Sequence, residues 1–573
     1  MKNILIAIAW PYVNGDLHPG HLAGYLLPAD IFARFNRILG NDVLMVSGSD
    51  CHGTPITIEA EKRKMHPSEI VSIYHKKNID LFKYFNLEFN LYTKTTTENH
   101  QKVVQKIFLN LLKNGYIFKK TTRQYFSPEE SRFLPDRYVQ GQCKYCKALD
   151  QKSDQCESCG KWLDMGDLIK PYNKLSSCNL DLINTEHYFI DLKKLQKELT
   201  PYVKKKKTVW KGWVYKEALS WLKNGLEPRS ITRDLDWGVE IPKELIEKNF
   251  SVDLIKDLES KRFYVWFEAV IGYLSASIEW SQTDEIKSES DERIFLLTQG
   301  QSRDWKNWWF DKSAEQYYFL GQDNLIFHCL LWPAQLIGTE EGYQLPHNIV
   351  VNKFMQYEGG KFSKSKGNTI DTRALGEEYG VDAVRYYIST VLPENKESNF
   401  DRKILEGTIN DRLIANIGNL IFRVLKFQNN NFENNLSKDV SLINLDVGKR
   451  VDECYQKTEE LFSKCKFTEA LVEIEKLGDF ANKYFNDTEI WKIVKEDSQK
   501  AEILMIDFLI LINNIATLLY PYIPESSMVI KGYLNTREDL YYSVGTNKWK
   551  PNWKKQFDIV EKIQEPLFKK ILS

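Results

Sequence analysis

Two histidines in a short turn have the residue types and spacing that suit phosphate chemistry. His18 and His21 stand three positions apart in "DLHPGH", directly after an apolar run. A strand that turns into a helix N-terminus binds anions, because unpaired N–H groups and the helix dipole both face the ligand. Pro19 suits a first helical turn, and Gly20 lets a ligand lie against the backbone. The turn predicts two donors to phosphate oxygens, the alternative being that both histidines merely cap a helix.

A second segment, "GGKFSKSKGN" (359–368), is a glycine-flanked loop of lysines and serines. Mobile lysines and hydroxyl groups stabilise the charge that develops in phosphoryl or nucleotidyl transfer. Lys361, Ser363 and Lys364 are its candidate residues, and alone the loop would be read as a solvated basic segment. Its position about 340 residues after the histidine turn makes the pair far more specific than either segment.

Four cysteines form two CxxC pairs in "CKYCKALDQKSDQCESCG": Cys143 with Cys146, and Cys156 with Cys159. Two such turns bring four thiolates to one point, which suits a tetrahedral Zn²⁺ with no open position. Disulfides are disfavoured because the chain shows no export signal. The pattern therefore predicts one structural zinc ion.

The elements that position these residues follow from the apolar pattern. "NILIAIAW" (3–10) and "VLMVSGSD" (43–50) predict buried strands, and a helix is expected from about His21 to Leu39, with a kink at Pro28. This strand–helix–strand order predicts an α/β unit with a parallel sheet.

The pattern of apolar residues changes twice in the rest of the chain, at about residues 116 and 400. From about residue 116 short apolar runs and the paired cysteines predict an inserted domain. After it, the strand-like runs "RFYVWFEAV" and "DNLIFHCLLW" are expected to resume the α/β pattern, which extends up to "HNIVVNKFMQYEGGKFSKSKGN". Beyond about residue 400 the apolar spacing is helical, interrupted by the Asn-rich linker "QNNNFENNLSKD".

Composition sets the outer limits. The chain has 573 residues, 43% of them hydrophobic, and a formal net charge of zero, so any nucleic-acid contact must use local patches. It shows no leader pattern and no uninterrupted apolar run of about 18 residues, so a soluble, cytoplasmic protein is expected, with no membrane partner.

These motifs resemble the class I aminoacyl-tRNA synthetases, since "HPGH" matches the family's HIGH element and "KFSKS" its KMSKS element. The resemblance is closer to the methionyl-tRNA synthetases and covers essentially the whole chain. It is carried by "AWPYVNGDLHPGH", "SGSDCHGTPI", "YVWFEAVIGY", "FHCLLWPA" and "INDRLIANIGNLIFR", in the family's order and spacing.

The resemblance implies a Rossmann-type parallel-sheet catalytic domain split by a zinc-knuckle insertion and followed by an all-α anticodon-binding helix bundle. The implied limits are 1–115 and 229–350 for the two catalytic halves, 116–228 for the insertion, 351–400 for the lysine loop and linking region, and 401–573 for the bundle.

The implied reaction joins methionine to ATP, with Mg²⁺, and then charges the 3′-terminal ribose of tRNA(Met), initiator and elongator. His18 and His21 would contact the ATP phosphates, and Lys364, assisted by Lys361, would hold the departing pyrophosphate. The implied ATP-binding set comprises Tyr12, His18, Gly20, His21, Lys361, Ser363 and Lys364.

The implied methionine pocket comprises Ala9, Trp10, Tyr12, Asp50, Trp266, Ala269, Tyr273 and His328. Asp50 would accept the substrate ammonium group, Tyr12 and His328 would touch the sulfur, and the Trp266 ring would close the wall. Ordinary core packing is the alternative for the aromatic residues. Two positions depart from the family, since Trp10 replaces a common Leu and Val270 a common Pro.

In the family the helical bundle reads the CAU anticodon, and the matching residues are Asn419, Arg423 and Trp491. The Asn and Arg would hydrogen-bond base edges, while the Trp would stack on an unpaired base. No appended RNA-binding or dimerising domain is visible, so a monomer is expected.

Three other functions compete with this one. A class I synthetase for Val, Ile or Leu usually carries an editing insertion that residues 115–230 are too few to hold, and a cysteine enzyme places zinc in its amino-acid pocket. A non-catalytic tRNA- or nucleotide-binding relative predicts eroded histidines or a broken lysine loop. A zinc-containing DNA-binding protein is disfavoured by the zero net charge.

Overall fold

The computed structural model describes most of the chain. The described residues are 1–135, 138–153, 156, 158–159, 163, 166–250, 253–283, 292–300, 302–360, 370–432, 435–437, 443–541, 548–553, 556–559 and 563–571.

The first 113 residues alternate strands and helices. They contain β1 (Asn3–Ile8), α1 (Pro19–His21), a π-helical segment (Leu22–Leu26), α2 (Leu27–Ile38), β2 (Asp42–Ser49), α3 (Thr54–Arg63), α4 (Pro67–Tyr84), β3 (Leu91–Lys94) and α5 (Glu98–Lys113). The insertion contains β4 (Ile117–Ser127), β5 (Arg132–Phe133), β6 (Val139–Cys143), β7 (Gln151–Lys152), β8 (Leu168–Asn173), β9 (Asp181–Ile190), α6 (Leu192–Lys205) and α7 (Gly212–Asn224).

The sheet-forming pattern then resumes. This part contains β10 (Arg229–Ser230), β11 (Thr232–Asp234), α8 (Lys243–Asn249), β12 (Lys261–Phe263), α9 (Val265–Glu268), α10 (Gly272–Gln282), β13 (Ile294–Phe295), α11 (Lys306–Trp309), β14 (Glu315–Gly321), α12 (Trp332–Gly338), β15 (Asn348–Asn352) and β16 (Met355–Tyr357). Short 3₁₀ segments (Ala269–Ile271 and Gln322–Asn324) and a π-helical segment (Phe327–Leu331) stand between them.

The remaining residues are mostly helical. They contain α13 (Thr372–Tyr379), α14 (Val381–Thr390), β17 (Ser398–Phe400), α15 (Arg402–Thr408), a π-helical segment (Ile409–Gly418), α16 (Asn419–Asn431), β18 (Asn435–Ser437), α17 (Leu445–Ser463), α18 (Phe467–Thr488), α19 (Ile490–Glu496), α20 (Ser498–Leu519), α21 (Pro524–Tyr533) and β19 (Gln556–Asp558).

A six-stranded sheet organises the parts of the chain on both sides of the insertion, with strand order β13-β3-β2-β1-β14-β15. All neighbours are parallel except β13, which runs antiparallel to β3 at the edge. Every residue of β2 is buried, as expected for a strand covered on both faces. The prediction of an α/β fold with a parallel sheet, an insertion and a helical bundle is confirmed.

Two apolar cores cover the two faces of this sheet. The core around α2 continues into the helical part, where the Phe35 and Phe462 rings stack with centroids 4.6 Å apart. The core around α5 and α10 continues into the insertion, where the Phe108 and Tyr188 rings meet edge to face at 5.4 Å. Each core crosses a predicted domain boundary. The insertion and the helical part are therefore packed onto the sheet.

Helix α20 is the one helix among the described residues with the length and apolar composition to cross a membrane. Within its apolar window, 83% is buried inside the protein. The core helix of a bundle has the same composition, since apolar residues surround it on all sides.

Two predicted strands are helical in the structure. In "RFYVWFEAV" the strand ends at Phe263 and a helix begins at Val265, while "DNLIFHCLLW" forms 3₁₀ and π-helical turns. The strand that precedes the latter is β14, with the sequence "EQYYFLG". Short aromatic and apolar runs favour a strand by composition, but a buried helix segment has the same pattern.

Two further predictions need correction. The helix expected from His21 is interrupted by the π-helical segment, and Pro28 lies in the first turn of α2 directly after it. The Asn-rich stretch is only partly a linker, because α16 extends to Asn431 and residues 435–437 pair with β19.

A buried ionic cluster joins the sheet to the helical part. The Asp30 carboxylate on α2 accepts hydrogen bonds from Arg34 Nε at 2.9 Å and Arg385 Nη2 at 2.7 Å. Arg385 also donates to the carbonyls of Phe85 and Tyr522, both at 2.9 Å. Burial by itself raises the pKa of Asp30, but the two guanidinium groups outweigh it and hold the pKa below its usual range.

Asp30→Asn is expected to lower the free energy of unfolding by about 3–5 kcal/mol, because it leaves the buried Arg385 guanidinium without its counter-charge and Arg34 with the partly exposed Glu88 alone. The stabilisation by Asp30 is complete above its unfolded pKa of about 3.9 and is lost as the pH falls through the lower folded value. Urea unfolding of both proteins between pH 3 and pH 7 measures the loss and should show that the difference shrinks at acid pH.

The exposed pair of Glu378 and Arg402 provides the control. Glu378→Gln should change the free energy of unfolding much less, because water screens an exposed pair. An equal effect of the two substitutions would contradict a special role for the buried cluster.

Candidate active site

A cleft opens at the carboxyl ends of the parallel strands, where α/β sheets bind ligands. It encloses a cavity of about 580 Å³. Around this cavity the structure brings together all eight residues of the predicted methionine pocket and the histidine turn: Ala9, Trp10, Tyr12, His18, Gly20, His21, Asp50, Trp266, Ala269, Tyr273 and His328. These residues come from four separate segments of the chain.

The histidine turn places both rings at the start of α1. His21 Nδ1 accepts a hydrogen bond from the His18 backbone N–H at 3.1 Å, so this ring does help to cap the helix. The neutral ring then carries its proton on Nε2, which is a donor. The two ring centroids are 3.9 Å apart, and both side chains are half-buried at the cavity. Capping and donation to a ligand are therefore compatible.

Asp50 is held where β2 ends beside the loop that follows β1. Its N–H donates to the Pro11 carbonyl at 2.9 Å, and its carbonyl accepts from the Val13 N–H at 3.3 Å. The side chain is only 3% exposed, and Oδ1 accepts from the His52 N–H at 3.4 Å. A carboxylate fixed in a cleft suits a cationic group of a ligand.

The large Trp10 ring is accommodated by two glycines. A Cβ atom added to Gly48 would lie 2.3 Å from the Trp10 ring, and one added to Gly272 would lie 2.7 Å from it. The indole is 9% exposed and meets the Tyr273 ring edge-on at 6.5 Å. Only residues without side chains leave this space, so Trp10 forms a wall of the cavity without displacing the strands.

Tyr273 and His328 form a buried pair in the cavity lining next to Trp10. Their Oη and Nε2 atoms are 2.6 Å apart, and His328 Nδ1 lies 2.9 Å from the Asn324 carbonyl. Burial lowers the pKa of His328 to about 4, against the opposing effect of that carbonyl. The ring is therefore neutral near pH 7, with Nδ1 donating to Asn324 and Nε2 accepting from the tyrosine hydroxyl.

Trp266 closes another side of the cavity. Its ring stacks on Phe327 with centroids 4.2 Å apart and planes 7° apart, and it meets the Tyr12 ring edge-on at 6.1 Å. Tyr12 in turn lies on Gly53, where an added Cβ would come within 2.1 Å of the tyrosine ring. Packing and cavity lining are both present at Trp266, since the side chain is half-buried.

The structure adds cavity residues that sequence reasoning missed. Asp323, Asn324 and Lys353 line the cavity from the segments that follow β14 and β15. The signal for the first two was "GQDN" directly after an apolar strand, because ligands bind where parallel strands end. Sequence reasoning missed it because "DNLIFHCLLW", which begins with Asp323 and Asn324, has the composition of a strand.

The lysine loop residues Lys361, Ser363 and Lys364 lie outside the described residues. Both flanks of the loop are described. Before it, Met355 and Gln356 line the cavity. After it, the Thr372 hydroxyl donates to the Leu17 carbonyl at 2.8 Å, one residue before the histidine turn.

The four predicted zinc ligands meet in the insertion. The sulfur atoms of Cys143, Cys146, Cys156 and Cys159 all lie within 4.8 Å of one another. Four sulfurs about 2.3 Å from a tetrahedral Zn²⁺ would be about 3.8 Å apart, so this donor set fits the ion. The backbone N–H groups of Tyr145 and Cys159 donate to the sulfurs of Cys143 and Cys156, each at 3.4 Å.

The three predicted anticodon residues lie on α16 and α19. The Arg423 guanidinium lies 4.7 Å from the Phe485 ring centroid, and the Trp491 ring lies 6.0 Å from the same ring. Asn419 is one turn before Arg423 on α16 and is exposed, as Trp491 is. Phe485 thus brings an arginine and an exposed indole to one surface of the bundle.

Comparison with known proteins identifies the family. The family model "tRNA synthetases class I (M)" matches residues 4–425, and the model "Anticodon binding domain of methionyl tRNA ligase" matches residues 437–571. A methionine–tRNA ligase of Roseiflexus sp. is 39% identical over 533 residues, covering 92% of this chain and 86% of the relative. One of Dehalococcoides mccartyi is 37% identical over 575 residues, covering 100% and 97%.

A solved structure has the same fold over nearly the whole length. The methionyl-tRNA synthetase of Mycobacterium tuberculosis, solved in complex with methionyl-adenylate, superposes with a TM-score of 0.74 at 21% identity, covering 99% of this chain and 100% of that one. The chain therefore belongs to the class I tRNA synthetases specific for methionine, the methionine–tRNA ligases.

Proposed function

We propose that the cleft is where this methionine–tRNA ligase activates its amino acid. A carboxylate oxygen of methionine attacks the α-phosphorus of ATP, an O–P bond to methionine forms, and the bond to pyrophosphate breaks. A hydroxyl of the 3′-terminal ribose of tRNA(Met) then attacks the methionyl carbonyl carbon, so an ester bond forms, the bond to the adenylate phosphate breaks and AMP leaves with the hydroxyl proton released. No covalent nucleophile of the protein is needed, so catalysis depends on positioning and electrostatics.

One observation carries this proposal. The described flanks of the lysine-loop segment both lie beside the histidine turn: before the loop Met355 lines the same cavity, and after it the Thr372 hydroxyl donates to the Leu17 carbonyl at 2.8 Å. In addition, Asn352 Nδ2 donates to the Gly24 carbonyl at 3.0 Å and ties β15 to the π-helical segment. These attachments support a lysine loop that covers phosphates bound at His18 and His21.

The proposed phosphate roles follow from charge. His18 and His21 stabilise the phosphate oxygens in the transition state, and Lys361 and Lys364 hold the leaving pyrophosphate. Ser363, Gly20 and Tyr12 complete the proposed ATP site. Mg²⁺ would accompany ATP and neutralise part of the phosphate charge.

The proposed methionine roles follow from the cavity walls. Asp50 accepts the substrate ammonium group as the fixed carboxylate of the cleft. Because His328 is neutral, it offers the thioether a polarisable ring without a net charge, together with Tyr12. Trp10, Trp266 and Tyr273, with Ala9 and Ala269, enclose the side chain, and their spacing sets which analogues are rejected.

His18→Ala is expected to lower methionine-dependent exchange of pyrophosphate into ATP by about 100- to 1,000-fold, because it removes a preorganised donor to the transition state. The exchange rate at saturating methionine and ATP measures the loss. His66→Ala serves as the matched control, since His66 caps α4 and lies outside the cavity lining. An active His18→Ala enzyme would contradict the proposed phosphate role.

The same assay in the unmodified enzyme tests the substrate. Exchange driven better by valine, isoleucine or cysteine than by methionine would contradict the methionine assignment. No exchange with any amino acid, in a protein with about one zinc per chain, would favour a non-catalytic binding function.

We also propose that the four-cysteine cluster holds one structural Zn²⁺ and that this ion stabilises the insertion. Cys156→Ser should reduce the zinc content from about one ion per chain to near zero, because a tetrahedral site needs all four thiolates. Elemental analysis of the purified protein measures it. Cys178→Ser is the control, since Cys178 lies in the same insertion but outside the cluster, and full zinc retention by Cys156→Ser would contradict the proposed ligands.

We propose that Asn419, Arg423 and Trp491 contact the anticodon of tRNA(Met), initiator and elongator alike. The exposed indole beside a guanidinium suits stacking and base-edge hydrogen bonds to unpaired bases.

Arg423→Ala is expected to raise the KM for tRNA about tenfold in aminoacylation, because a base contact contributes about 1–3 kcal/mol. The exchange reaction, which needs no tRNA, should be unchanged. Arg450→Ala removes another partly exposed arginine of the bundle and controls for the loss of one charge. A loss of exchange activity in Arg423→Ala, or an equal KM rise in Arg450→Ala, would contradict the anticodon role.

A cytoplasmic location is part of the same proposal, since tRNA charging supplies cytoplasmic translation. The expectation of a monomer stays a prediction.

A further inference from the structure

A fully buried carboxylate lies behind the methionine side of the cleft, and none of the roles above uses it. Glu268 is the last residue of α9, directly before Ala269, and is 0% exposed. One carboxylate oxygen lies 3.0 Å from His52 Nδ1, and the other lies 2.6 Å from His100 Nε2. The carboxylate thus bridges two histidines from distant parts of the chain.

The Glu268 carboxyl group of this bridge is ionised near pH 7. Burial by itself raises the pKa of Glu268, but the charges and hydrogen bonds of the two imidazoles outweigh it and hold the pKa below its usual range. An ionised carboxylate can only accept, so each ring presents an N–H to it. This arrangement fixes which ring nitrogen of each histidine points toward Glu268: Nδ1 of His52 and Nε2 of His100.

Each histidine leads to a different wall of the cavity. The His52 backbone N–H donates to Asp50 Oδ1 at 3.4 Å, beside the proposed ammonium site. The His100 ring lies 6.1 Å from the Trp10 ring, centroid to centroid. His100 Nδ1 also hydrogen-bonds Ser275 Oγ at 2.8 Å, on the helix α10 that carries Tyr273. One carboxylate therefore connects three segments that line the amino-acid side of the cleft.

We propose that Glu268 is a positioning residue for amino-acid recognition. Through His52 it fixes the loop that carries Asp50, and through His100 it fixes the support of the Trp10 ring, both relative to α10. The inference rests on the proposed function of the cleft and deepens it, because it separates recognition of the amino acid from recognition of ATP.

A purely structural ion pair is the competing explanation. Such a pair would stabilise the protein without distinguishing the two substrates, whereas a positioning role acts on methionine alone. The phosphate-binding turn comes from residues 16–21 and is a separate segment from the bridge. The two explanations therefore predict different ratios of kinetic constants.

Glu268→Gln is expected to raise the KM for methionine about tenfold or more, because the amide keeps the shape but loses one acceptor and the charge. The KM for ATP should stay within about twofold of the parent value. Both constants are measured in full-length enzyme by pyrophosphate exchange, each with the other substrate saturating. Equal increases of both constants, or an unchanged KM for methionine, would overturn the inference.

Glu279→Gln is the matched control. Glu279 is another buried acidic residue, on α10, and is 8% exposed; its carboxylate hydrogen-bonds Thr93 and Arg293 instead of the two histidines. Its substitution should lower the melting temperature comparably but leave the KM for methionine within about twofold. A similar rise in the KM for methionine with Glu279→Gln would favour a general structural effect.

A pair of variants at His52 decides the question even if Glu268→Gln fails to fold. His52→Asn keeps an N–H near the position of Nδ1, so its KM for methionine should stay near the parent value, whereas His52→Ala should show the rise. Equal values for the two variants would overturn the inference. Failure of the proposed function would appear separately, as absent methionine-dependent exchange in the parent enzyme.

Discussion

The placement of the cleft depends on one constraint, the parallel pairing of β1 between β2 and β14. In this register Ala7 stands beside Val46 on one side and Tyr318 on the other. All three strands therefore end at the same edge of the sheet, and the segments that leave them carry the histidine turn, the Asp50 loop and the turn with Asp323. A single antiparallel pairing here would send one of these segments to the opposite edge. Backbone hydrogen bonds thus gather groups that are hundreds of residues apart.

The parts of the fold that sequence predicts well are those in which local pattern and tertiary environment agree. β1 and β2 are short apolar runs that are buried on both faces, so composition and structure coincide. The runs around Val265 and Phe327 have the same composition but form short helical turns at the cavity. The composition of one short segment does not distinguish a buried strand from a buried helical turn. The family resemblance, not periodicity, placed Trp266 and His328 in the candidate site.

The sequence could not show how a large aromatic ring fits against glycine residues that are distant along the chain. Trp10 departs from the family's usual residue, yet the structure fits it against Gly48 and Gly272, whose backbones lie too close for any Cβ atom. Each glycine alone reads as a weak strand or helix residue. Only their position on either side of one indole gives them a function, and that position depends on the pairing of β2 and the packing of α10. The buried bridge of Glu268 is of the same kind, since its two histidines are 168 and 216 residues away along the chain.

The helical bundle is joined to the cleft by packing as well as by sequence. Its core is continuous with the core on the α2 face of the sheet, and the buried Arg385 donates both to Asp30 on α2 and to the Tyr522 carbonyl after α20. A flexible tether would let the proposed anticodon surface move relative to the cleft. A shared apolar core with a buried charge fixes their separation, because moving the parts would expose apolar surface and unpair the guanidinium. The distance between the surface at Phe485 and the histidine turn is therefore a property of the fold. Under the proposed function, a fixed separation between these two surfaces would select a stiff tRNA of matching shape without requiring the bundle to move.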